Sequence, residues 1–331
     1  AYIIVGVDEN DNYSVHDVRQ DTNRRNTQQL TDFLRSKQFA GDFRPIVTVE
    51  PVLLDDGCID VIIIENSLNT PFYLKERYKG IGQSNIYVRL QDSNTPKDKT
   101  ADFHNVEYLW KKHFGMLLSP IEKVKLYLMH PEDWEISPSQ EDKKYYKYAP
   151  EFTIEHNFDP EDGRNGYEYY LFSQMDPRPH WRDIKICYFQ TVIADLGGVS
   201  LDGGRYFTAT PYTDGIRLSE YPSCDVSYAY MVKGELNHLV HEFYYKGDRD
   251  EEKHAHDSFE KCILIFDNKD ERTYFKEYVV EHWETKENFA NNIYVPNMRE
   301  LTGYNMEYFK KQYRDVQILH KMLETFRNTQ Y

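Results

Sequence analysis

The chain opens on an apolar run, Tyr2-Ile3-Ile4-Val5-Gly6-Val7, that stops at Asp8 and gives way to the polar stretch Glu9-Asn10-Asp11-Asn12. A β-branched run bounded by turn residues predicts a buried strand entering a tight turn, paired with a strand over Tyr13 to Val18. Leu30, Phe33 and Leu34 recur at helical spacing, with Thr27 as cap and Gly41 beyond the end, which predicts a helix over 27–37. Phe43 to Leu54 and Cys58 to Glu65 read as strands around Asp55-Asp56-Gly57, a strong hairpin signal. The unbroken Ile62-Ile63-Ile64 marks the second strand as covered on both faces and central in its sheet. Asn66 to Gln83, broken by Asn, Pro and Gly, predicts an extended surface loop. Asn85 to Gln91 follows as a strand and Val106 to Phe114 as a helix with Val106, Leu109 and Trp110 inward. The order β-β-α-β-β-β-α describes a first α+β domain over 1–116, a mixed sheet with helices.

Ser119-Pro120-Ile121-Glu122 is a capping box with proline at the first helical position, so a helix starts there, runs to about Met129 and stops at His130-Pro131. Trp134 to Tyr148 is polar, charged and proline-interrupted, and 117–150 is therefore read as a helix and a linker. Beyond it, short aromatic strands alternate with Gly, Asp and Pro turns at Phe152 to Glu155, Tyr167 to Ser173, Ile184 to Ile193, Arg205 to Thr210 and Val226 to Val232. Leu236, Leu239, Val240 and Phe243 mark an amphipathic helix, Ile263 to Phe266 a buried strand, Thr273 to Trp283 a helix and Met306 to Arg327 a long one. Residues 151–331 thus form a β-rich α+β second domain of unknown role.

Charge separates these two regions. Of the net −15, residues 1–118 carry 14 Lys and Arg against 17 Asp and Glu, net −3, and the rest carries 26 against 38, net −12. A surface that is acidic overall does not bind polyanions indiscriminately, so an RNA or DNA partner is expected on the first domain. Cys58, Cys187, Cys224 and Cys262 form no C-x-x-C pair, which fits reduced, buried thiols and a cytoplasmic protein better than a disulfide framework. No run approaches the ~18 apolar residues of a membrane span, so no membrane partner is expected. Self-association stays open.

The motifs of the first domain follow one another in a known order. The strand ending Gly6-Val7-Asp8, the helix start Arg24-Arg25-Asn26-Thr27-Gln28-Gln29-Leu30, the strand Ile59 to Glu65, Asn69-Thr70-Pro71-Phe72-Tyr73, and Tyr87-Val88-Arg89-Leu90-Gln91-Asp92-Ser93-Asn94-Thr95-Pro96 together resemble a Schlafen-type AlbA_2 domain over about residues 1–115. The resemblance implies a nucleic-acid-processing protein, in its active form a metal-dependent endoribonuclease acting on tRNA or other structured RNA in stress or phage defence. It implies that Asp8 joins two upstream glutamates to hold Mg²⁺ or Mn²⁺, hard cations that oxygen ligands suit. A core strand starting at the first residue, without Met, leads to the expectation that those glutamates precede this chain. The alternative is a non-enzymatic DNA- or RNA-binding regulator with a partner-binding second domain, in which Asp8 is a turn residue satisfying backbone N–H groups.

Several cations suit a nucleic acid by themselves. Arg24 and Arg25 precede a helix start, where unpaired N–H groups favour phosphate, and their competing role is a solvated basic pair. Lys75, Arg77 and Lys79 interleave with Phe72, Tyr73 and Tyr78, offering charge and stacking surface for unpaired bases, and Arg89 sits on a strand facing either phosphate or a carboxylate. In the second domain, His238, His241 and Glu242 share one predicted helix and His254, His256 and Asp257 lie in the charged segment 247–257. The two groups would make a zinc site only where folding brings them together. The glycine pairs Gly197-Gly198 and Gly203-Gly204 match neither a dinucleotide fingerprint nor a P-loop and read as turns.

Overall fold

Strand and helix periodicities are both realised, in an α+β architecture, in a computed structural model describing residues 1–90, 93–157, 168–171, 174, 180–218, 226–290, 293–296 and 303–329. The chain divides into two compact units, Ala1–Leu118 and Ser119–Tyr331.

The first unit holds β1 (Tyr2–Val5), β2 (Val7–Asp8), β3 (Ser14–Val15), α1 (Thr27–Arg35), β4 (Val47–Leu54), β5 (Gly57–Ile64), β6 (Arg89–Leu90), β7 (Ser93–Asn94) and α2 (Phe103–His113). Its main sheet is antiparallel in the order β1-β5-β4, with Leu54 opposite Gly57 across the Asp55-Asp56 turn. β5 is central, as its apolar run predicts, yet Ile62 to Ile64 are only half-buried. β1 departs further from expectation: it is an edge strand with exposed side chains, from 73 % at Tyr2 to 39 % at Val5. An apolar run shows what burial would favour, and an edge position leaves part of it uncovered. Between β1 and β2 the chain bends at Gly6, where φ is +100° and a Cβ would stand 2.7 Å from Val18 Cγ1, so only glycine fits. β2 pairs with β3, Asp8 opposite Ser14.

Asn26, and not Thr27, caps α1, through a reciprocal box with Gln29. The Thr27 hydroxyl instead accepts the Val49 N–H at 2.9 Å and ties the helix to β4. Residues 66–83 carry no helix or strand, only isolated bridges from Leu74 to Phe39 and between Tyr78 and Ile81. The strand expected over Asn85 to Gln91 shrinks to β6, and Gln91 lies outside the described residues. The Thr100 and Thr95 hydroxyls accept the N–H groups of Ile86 and Val88 at 3.0 Å and replace a ladder there.

The second unit begins with α3 (Pro120–Leu128), whose Ser119–Glu122 capping box forms as expected. A six-stranded antiparallel meander follows: β8 (Trp134–Ser137), β9 (Gln140–Tyr146), β10 (Ala149–Asn157), β11 (His180–Tyr188), β12 (Thr191–Leu201) and β13 (Tyr206–Ala209). The segment read as a linker is therefore the sheet's first hairpin. Its charge belongs to an edge, where lysines and glutamates solvate one face while Trp134 and Tyr146 enter the core from the other. Ile184 to Ile193 is likewise no single strand, because the chain reverses between β11 and β12 at Phe189, whose φ is +53°. Of the run Tyr167 to Ser173, Tyr169–Leu171 is a short 3₁₀ turn, while residues 167, 172 and 173 lie outside the described residues.

The remaining elements are β14 (Tyr212–Ile216), β15 (Val226–Val232), α4 (Leu236–Tyr244), α5 (Asp250–Glu260), β16 (Leu264–Phe266), α6 (Lys269–His282), α7 (Lys286–Ala290) and α8 (Met306–Thr329). β15 and β16 run parallel, so α4 and α5 form the crossover between them. One core gathers Tyr228, Phe259, Phe266, Phe275, Leu319 and Met322 under α8, and another packs Val124, Phe152, Ile154, Ile184 and Val240 between the meander and α3 and α4. Cys58, Cys187 and Cys262 are buried free thiols, and Cys224 lies outside the described residues. Among the described residues no helix is long and apolar enough to cross a membrane.

Candidate nucleic-acid interface and a buried histidine cluster

Asp8 ends β2 half-buried, and its Oδ1 accepts the Asn10 N–H at 2.9 Å, the bond of an aspartate holding its own turn. Among the described residues it belongs to no group of three side chains able to share a metal ion. Asp8 alone supplies one residue of the several oxygen ligands that Mg²⁺ or Mn²⁺ needs, and its Oδ1 already serves the turn.

The two neighbouring arginines part company. Arg24 donates from Nε and Nη2 to both oxygens of Asp60, at 2.8 and 2.7 Å, and Asp60 is only 4 % exposed. A carboxylate buried in a central strand requires such a fork, so Arg24 is committed to the fold. The Asn26–Gln29 box also occupies the N–H groups of Asn26 and Gln29 at the start of α1.

Arg25 turns outward, its guanidinium carbon 4.6 Å from the centre of the Phe33 ring. Phe33 meets Tyr78 edge to face at 6.2 Å, and Lys37 Nζ lies over both rings, 4.7 Å from Phe33 and 4.3 Å from Tyr78. Lys79 completes the group, 5.7 Å from the Tyr78 ring. Three cations and two half-buried rings thus converge from α1, the residues flanking it and the loop 66–83. Lys75 and Arg77 are exposed on the same loop, and Arg89 is exposed in β6. Phe33 and Lys37 escape a search for basic runs, although their i, i+4 spacing on a predicted helix is the signal that pairs them.

In the second unit the fold brings half of each histidine motif together. His241, fully buried on α4, and His256, 7 % exposed on α5, stack with ring centres 5.0 Å apart. Their Nε2 atoms lie 3.6 and 3.7 Å from the same oxygen of Glu260. With Glu242, these residues offer four ligand atoms all within 4.8 Å of one another. His241 Nδ1 lies 2.9 Å from the Tyr206 hydroxyl and 2.8 Å from the Thr208 hydroxyl, and His256 Nδ1 faces Asp257 at 3.4 Å. The His241 imidazole, helped by the charge of His256, holds the Glu260 carboxyl below its ordinary range against the opposing effect of burial. His238 stands aside, 3.9 Å from Glu242, with burial lowering its own pKa, and His254 is exposed. Glu260 belongs to neither histidine motif of the sequence, although it stands at i+4 from His256 on α5.

Comparison with models of known families, with curated proteins and with solved structures finds no match to this chain.

Proposed function

We propose that the first unit is a nucleic-acid-binding module that takes unpaired bases against the Phe33 and Tyr78 rings and their phosphates onto Arg25, Lys37 and Lys79. The reading agrees with what the resemblance to Schlafen-type AlbA_2 domains implies for binding. The observation that carries it is the ring-and-cation group itself, because stacking accepts any base and cations accept any phosphate. A −3 balance over 1–118, against −12 beyond, favours this unit as the meeting point. The ring-and-cation group supports binding, and the reading rests on binding alone.

Fluorescence anisotropy with a labelled single-stranded RNA dodecamer tests it. Three phosphate contacts predict a slope of about −2 in log affinity against log salt, at ~0.7 per contact. Tyr78→Ala should cost about 1–3 kcal/mol with the slope unchanged, whereas Arg25→Ala should reduce the slope by about one contact. Affinity indifferent to salt and to both substitutions would rule this surface out.

A further inference from the structure

We propose that His241, His256, Glu260 and Glu242 form a binding site for one divalent first-row transition metal, with zinc the readiest occupant. Zinc bonds of ~2.0–2.2 Å in a tetrahedron set neighbouring ligand atoms about 3.3–3.5 Å apart. The two imidazole Nε2 atoms already stand 3.6 and 3.7 Å from the shared Glu260 oxygen, near that spacing, and a tilt of the stacked rings would bring an ion into the plane of each.

The surroundings point the same way. Both Nε2 atoms are buried and face the Glu260 carboxylate from just beyond hydrogen-bond distance, a gap that an ion between them would close. Their other ring nitrogens are engaged, that of His241 by Tyr206 and Thr208 and that of His256 by Asp257. Fixing Nδ1 is how outer partners aim Nε2 at a metal. Tyr245, stacked 3.8 Å from the His256 ring, helps to hold that ring in place.

Donor chemistry selects the ion. Two imidazoles with carboxylates suit zinc and its first-row neighbours, whereas calcium and magnesium take oxygen ligands. Glu242, half-exposed beside the buried pair, offers the fourth ligand atom, within 4.8 Å of the other three. Because His241 and Glu242 come from α4 and His256 and Glu260 from α5, the ion would cross-link the two helices of the β15–β16 crossover.

Calorimetric titration of the full chain, prepared without a histidine tag and stripped with EDTA, tests the site with Zn²⁺ and Co²⁺. One equivalent of zinc should bind, and Co²⁺ should give the visible absorption of a four-coordinate site. Glu260→Gln and Glu242→Gln should each weaken zinc binding by at least about tenfold. His254→Ala, on the exposed side of α5, should leave it unchanged. Glu242 is half-exposed, so its variant remains a fair test if Glu260→Gln does not fold. Absence of stoichiometric uptake, or undiminished binding in both glutamine variants, would overturn the site and leave a buried imidazole–carboxylate cluster.

Discussion

Arg24 and Arg25 are adjacent and chemically identical, yet one is structural and the other faces outward. Their difference lies in Asp60, 36 residues away, which β5 carries into the interior beside Arg24. No local pattern contains that information, which is why the sequence reads both as one basic pair. Arg24→Ala should therefore lower the urea midpoint of the first unit while Arg25→Ala leaves it in place. Arg24→Lys should not restore it, since an ammonium cannot make the forked contact. A second residue-scale effect is set by pH. Burial on α8 pushes the His320 imidazole down to about 4, with Arg327 adding in the same direction and Glu260 and the Ile263 and Lys261 backbone opposing. The unfolded chain, with histidine near ~6.5, takes a proton that the folded form refuses, so stability is complete above that pH and falls as pH drops towards 4. One such group contributes a slope of at most about 1.4 kcal/mol per pH unit. His156 and His238 are displaced the same way by burial, so His320→Gln should flatten the slope without abolishing it in urea titrations between pH 7 and 4.5 in EDTA.

Elements were legible where their signals are local. The Asp55-Asp56-Gly57 turn, the Ser119 capping box, α4, β15 and the long α8 each follow from a few neighbouring residues, and each formed. β8 and β9 were not legible, because an edge hairpin has the composition of a linker until the sheet beside it is known. The Ile184 to Ile193 run failed for a related reason: an apolar stretch does not announce a reversal made by a non-glycine residue at positive φ. The histidine cluster was half legible. Its members were visible as two motifs, but their meeting depends on the crossover that sets α4 beside α5. Two local signals carry measurable weight. Ser119→Ala should cost about 1 kcal/mol by removing the α3 cap. Gly6→Ala should cost more than about 1 kcal/mol, since it adds strain at φ +100° to a clash with Val18.

At the scale of the molecule, apolar burial is unequally shared. Both large cores are built from residues beyond 118, whereas among the described residues of the first unit the buried apolar ones are Val18, Val47, Cys58, Ile59, Pro71, Leu74, Ile86 and Ala101. Stability follows buried apolar surface, so the first unit should melt at the lower temperature and calorimetry should resolve two transitions. The two ligands then separate the units. Single-stranded RNA, held by Arg25, Lys37, Lys79 and the two rings, should raise the lower transition alone. Zinc at a hundred times its dissociation constant should add about 2.7 kcal/mol to the second unit and raise the upper transition by about 5–10 °C. Phe259→Ala, deep in the second unit's core, should lower the upper transition, at a cost of about 3–5 kcal/mol, and leave the RNA-sensitive one where it was. A single transition shifted equally by RNA, by zinc and by that substitution would mean that the two units unfold as one.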